Sequence, residues 1–89
     1  MVKGVGKVGD KMLKFKMVES EDGKLVYRYF PEGKEDYGVI SYDEKTDTTT
    51  IETLAKEDEF RWYALKMLSR IRKMKEKGTF DTEGMIAWY

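Results

Sequence analysis

Apolar and polar residues change rhythm along the chain. From Lys11 to Glu19 they alternate, with Leu13, Phe15 and Met17 on one side and Lys14 and Lys16 on the other. A period of two is that of a strand with one buried face. Ser20 to Gly23 ends in Asp-Gly, a hairpin signal. Lys24 to Phe30 is rich in strand formers, Val26, Tyr27, Tyr29 and Phe30 among them, and Pro31 stops it because proline cannot donate to a ladder. After a polar loop, Tyr37 to Tyr42 and the threonine-rich Thr48 to Leu54 read as two more strands, separated by the turn Asp43 to Asp47.

The period then lengthens. Phe60, Tyr63, Ala64, Met67, Leu68, Ile71 and Met74 recur at three- and four-residue steps, which places them on one helix face. Glu57, Asp58 and Glu59 precede this stripe; Arg72, Lys73, Lys75 and Lys77 close it. Both placements suit the helix dipole. Gly78 is the residue expected just past a helix C-terminus. The spacing predicts a helix from Lys56 to Lys77, followed by an apolar tail that ends Met85-Ile86-Ala87-Trp88-Tyr89. The predicted fold is α+β: a four-stranded antiparallel meander covered by one long C-terminal helix, plus that tail. Residues 1–10 carry three glycines and no period and read as a flexible arm, which leaves 11–89 as a single domain.

Two apolar features fall outside this core. With Phe60 at zero, Trp62 lies at roughly 200° and Leu65 at roughly 140° around the helix, on the nominally wet side. The second feature is the tail, apolar where most termini are polar. In one reading the tail folds back on the helix or a sheet edge and partly buries Trp62. In the other, Trp62, Leu65, Met85, Ile86, Trp88 and Tyr89 form a surface for a protein partner, in the simplest case a homodimer.

Composition narrows the chemistry. The chain has 89 residues, with no cysteine and no histidine. That removes a disulfide framework, thiolate metal sites, a cysteine nucleophile and the usual general base at neutral pH. Ser20, Ser41 and Ser69 have no imidazole to activate them, and no motif pairs two carboxylates. The sequence therefore predicts no catalytic residues, no cofactor and no metal. Gly4 to Gly9 spells G-x-G-x-x-G, but no strand precedes it, as a dinucleotide site requires. Asp43, Lys45 and Asp47 resemble the start of a calcium loop, yet Lys45 holds a ligand position and Thr48 stands where glycine is needed. No apolar run approaches the ~20 residues that span a bilayer, and residues 1–16 have no secretory apolar core, so the cytoplasm is the expected compartment.

Net charge is zero, with 17 basic and 17 acidic residues, but it is segregated: +4 over 1–16, −3 over 19–36, −5 over 43–59, +6 over 61–77 and −2 over 81–83. Lys66, Arg70, Lys73 and Lys77 form one basic stripe along the helix. This stripe supports an alternative function, weak binding of a nucleic acid or other anionic partner. The near-neutral balance favours a solvated flank instead. Tyr27 and Tyr29 share a strand face with Leu25; such rings stack bases in RNA-binding sheets, and they also pack in ordinary cores.

The segment Tyr37-Gly38-Val39-Ile40-Ser41, the helix ending Lys77-Gly78-Thr79-Phe80 and the ending Glu83 to Tyr89 together resemble a group of small uncharacterised proteins of Gram-positive gut bacteria. The resemblance spans most of the chain after residue 11. It implies a bacterial, cytosolic origin and brings no activity or site residue with it.

Overall fold

The computed structural model describes residues 11–58 and 60–88. Five strands and one helix follow in order: β1 (Lys11–Glu21), β2 (Lys24–Pro31), β3 (Gly38–Asp43), β4 (Thr48–Thr53), α1 (Trp62–Lys77) and β5 (Glu83–Trp88). The fold is α+β. The sheet is antiparallel throughout, in the order β4-β3-β2-β1-β5. The four-strand meander is present, and the expected tail is its correction. The tail is a fifth strand, which returns past the helix to pair with β1, Lys11 opposite Trp88 and Lys16 opposite Glu83. The expected N-terminal arm and Tyr89 lie outside the described residues.

Asp22 and Gly23, with φ of 51° and 81°, make the tight β1–β2 turn that Asp-Gly announces. One face of the sheet carries Leu13, Phe15, Leu25, Tyr27, Tyr29, Ile40 and Tyr42, all buried under Ala64, Met67, Ile71 and Met74 of α1. Across this face runs the row Gly84–Phe15–Tyr29–Gly38. Its two rings lean outward over the glycines. A Cβ on Gly38 would stand 2.2 Å from the Tyr29 ring, and one on Gly84 2.7 Å from Phe15. Glycine at these two strand positions is therefore a packing requirement.

The helix starts later than its spacing predicts. Its cap is Arg61, in the left-handed region at φ 63°, with no side-chain cap of its own. Asp58 does the capping from three residues upstream. Its Oδ1 accepts the Tyr63 amide at 3.0 Å, and its Oδ2 accepts the Ala64 amide and the Tyr29 hydroxyl, each at 2.9 Å. The Tyr29 oxygen in turn accepts the Ala55 amide at 3.1 Å. A buried carboxylate is thus matched by three donors, as burial of a charge demands. At the other end Gly78, at φ 79°, closes the helix by donating to Met74 and Lys75 carbonyls. The return to β5 is pinned by the Tyr27 hydroxyl, which donates to the Asp81 carbonyl at 2.7 Å. Among the described residues no helix is long and apolar enough to cross a membrane.

Candidate functional site

The turn through Arg61 swings Phe60 out of the stripe to which its spacing assigned it. Phe60 is 68% exposed and packs on Trp62, ring centroids 5.7 Å apart and planes inclined by 33°. Trp62 opens the helix and is 59% exposed; Leu65, one turn on, is 53% exposed. The buried residues of α1 point to the sheet, so Trp62 and Leu65 face away from it. The result is an outward apolar patch at the N-terminal end of the helix. The sequence located Trp62 and Leu65 there; Phe60 joins them because a left-handed residue interrupts the helical phase.

The tail residues go elsewhere. Ile86 and Trp88 are half-buried and pack against the core on the helix side of the sheet. Trp88 meets the Tyr63 ring edge-on at 5.5 Å, and Lys66 Nζ lies 5.1 Å over its face. Met85 points to the opposite face and is 54% exposed. The expected single surface of Trp62, Leu65 and tail is therefore two surfaces. Nor does the tail cover Trp62: docking as a strand beside β1 commits Trp88 to Tyr63, one residue on and a third of a turn around the helix.

Two members of the basic stripe are engaged within the molecule. Lys66 rests on Trp88, while Arg70 lies 5.5 Å over Phe15 and 3.8 Å from Asp81. Lys73 and Lys77 make no ion pair among the described residues. The acidic end of the helix is likewise used internally, Glu57 meeting Lys34 at 3.3 Å and its amide donating to Asp36.

The Asp43–Asp47 segment is a turn, as the hairpin reading expected. Asp43 accepts the Lys45 and Thr46 amides, and Lys75 and Tyr42 both donate to Asp47, at 2.6 and 2.8 Å. Those two hydrogen bonds, the lysine's first, hold the Asp47 carboxyl below the usual carboxylate range. The same bond pushes the Tyr42 hydroxyl up to about 12. Among the described residues no group of three or more acidic side chains is placed to hold a metal ion. Ser41 donates to Glu52 at 2.7 Å.

The sheet face turned away from the helix carries a surface that the sequence analysis did not single out. Lys14 stands between Met85 and Phe30 in register, and Lys16 between Glu83 and Arg28. Arg28 lies 4.6 Å over the Tyr37 ring, which packs on Phe30 at 5.5 Å. Beside this cluster runs an open groove of about 610 Å³, lined by Lys14, Lys16, Phe30, Lys34 and Met85 together with Glu35 and Glu83. The alternation that buries Leu13 and Phe15 is the signal that sends Lys14 and Lys16 here.

No protein-family model, no curated protein and no solved structure matches this chain.

Proposed function

We propose that the chain is a small non-catalytic interaction module, and that the Phe60–Trp62–Leu65 patch is its contact surface for a partner protein. One observation carries this reading: three large apolar side chains, each more than half exposed, stand together at one helix end. Leaving them wet forgoes the ~25 cal/mol per Å² that burial returns, and grouped apolar side chains of this kind mark contact sites. Tryptophan is the residue type most enriched among interface anchors. The basic stripe is the weaker candidate, since Lys66 and Arg70 already have internal partners.

Photo-cross-linking in the source cells tests the proposal. A photoreactive residue in place of Leu65 is expected to give one discrete protein adduct, lost when Trp62→Ala is added. The same group at Glu76, exposed on the helix, is expected to give none. An adduct heavier by one further chain identifies a second copy as the partner; any other discrete mass identifies a different protein. Equal, diffuse labelling from both positions refutes the assignment.

A further inference from the structure

Among the described residues, strand β5 is a sheet edge built without the usual defences. Edge strands are blunted by charge, proline or bulges, because a free row of N–H and C=O groups templates a further strand. The other edge, β4, follows that rule: it carries Glu52 and four threonines, and its pairing with β3 is broken by a register shift between Val39 and Ile40. β5 reads Glu-Gly-Met-Ile-Ala-Trp, with one charge at its start, no proline and an unbroken register against β1.

Which of its backbone groups are free follows from one hydrogen bond. The Met17 amide donates to the Thr82 carbonyl at 2.7 Å. These two residues continue the β1–β5 register, and bonded pairs alternate along an antiparallel ladder. Phe15–Gly84, Leu13–Ile86 and Lys11–Trp88 are then the bonded pairs. On β1 the even positions turn to β2, as the Glu32 amide donating to the Met12 carbonyl at 2.8 Å requires. Glu83, Met85 and Ala87 accordingly direct their N–H and C=O groups outward, away from β1.

We infer that this edge takes the β5 strand of a second copy, antiparallel about a two-fold axis at Met85, joining two sheets into one of ten strands. An antiparallel pair of identical strands is what a two-fold axis generates, so the surface is its own complement. With Met85 opposite Met85, Glu83 faces Ala87 of the second copy, and every outward N–H and C=O from 83, 85 and 87 finds a partner. No like charges meet, and on the helix side Gly84 lies opposite Ile86, the smallest residue of the strand against a branched one. The sole carboxylate of each strand stays at the end of the pairing, open to solvent. The inference stands apart from the helix-end patch, which lies on a different surface.

The test is the solution mass of the full chain by light scattering across a concentration series. Wild type is expected at twice the 10.5 kDa of one chain, dissociating on dilution. Met85→Pro removes an outward amide and no β1–β5 bond, a substitution that edge strands accept; it is expected as a folded monomer by circular dichroism. Met85→Lys sets two like charges opposite one another and is expected to be monomeric as well, which keeps the test decisive if the proline variant does not fold. Ala87→Lys places a lysine opposite Glu83 of the second copy and is expected to stay dimeric. A wild type that is monomeric at every concentration overturns the inference. So does a dimer that survives Met85→Lys, and so does a dimer lost with Trp62→Ala but kept with Met85→Lys, which assigns self-association to the helix-end patch.

Discussion

Replacing Asp58 with alanine removes one acceptor from three donors at once. The Tyr63 and Ala64 amides lose their cap, and the Tyr29 hydroxyl loses the partner for its proton while its oxygen still accepts from Ala55. Loss of a helix cap costs about 1 kcal/mol. A buried donor left without an acceptor costs ~1–3 kcal/mol, and both the Tyr29 hydroxyl and the Ala64 amide are buried. Relief of the carboxylate's own desolvation works the other way and sets the lower end. The net loss is then about 3–5 kcal/mol, against a total of roughly 5–13 kcal/mol for a domain of this length. Urea unfolding followed by far-ultraviolet circular dichroism reads this directly. At a slope of about 1.5 kcal/mol per molar, the midpoint falls by about 2–3 M. Asp58→Asn keeps one carbonyl acceptor and turns an amide group toward the remaining donors, so it falls between. In a Tyr29→Phe background the alanine substitution costs less, because one stranded donor is already gone. An Asp58→Ala protein within ~1 kcal/mol of wild type refutes the capping account.

The glycine row and the tyrosines give two further predictions. Gly38→Ala pushes a Cβ to 2.2 Å from a ring whose hydroxyl is tied at both Asp58 and Ala55, and to 2.6 Å from the Thr53 carbonyl oxygen; a loss of about 3 kcal/mol is expected in thermal unfolding. Gly78→Ala meets nothing within 4 Å and bears only its φ of 79°, about 1 kcal/mol, so a Gly38 variant that outlasts the Gly78 one contradicts the packing argument. In alkali, burial and Asp81 push the Tyr27 hydroxyl up to about 12, and burial and the Glu32 carboxylate do the same to Tyr63. Their folded-state values lie above the ordinary 10.0, so the stability they confer is complete below pH 10 and is lost as pH rises through about 12. Tyrosinate absorbance is expected to rise together with loss of circular dichroism in that window. A full titration near pH 10 with the dichroism intact refutes it.

The meander was legible because β1 and β2 alternate between core and solvent, the threonine run of β4 favours extended backbone, and the turns use Asp, Gly and Pro in their usual places. β5 was not, because both of its faces are apolar: Ile86 and Trp88 look to the helix side, Met85 and Ala87 to the other, and no alternation marks the strand. The start of the helix was misplaced for a tertiary reason. Asp58 caps it while Tyr29, 29 residues earlier in the chain, holds the carboxylate in place, and spacing alone cannot register that bond. Trp62 and Leu65 were identified from helical phase. The cluster of Arg28, Phe30 and Tyr37 needed the β2–β3 register and the loop between those strands to bring it together.

The pairing of β1 with β5 also sets an order of events during synthesis. The hairpins of the meander close across turns of a few residues and form early, since short loops are fast to close. The odd-numbered amides and carbonyls of β1 then wait for a strand that emerges only after the helix. In that interval Leu13 and Phe15 border an open strand edge, the state in which a nascent chain is most prone to pair with a neighbour. Arrival of the Glu83–Trp88 strand ends the interval, so a strand made after the helix seals one made before it.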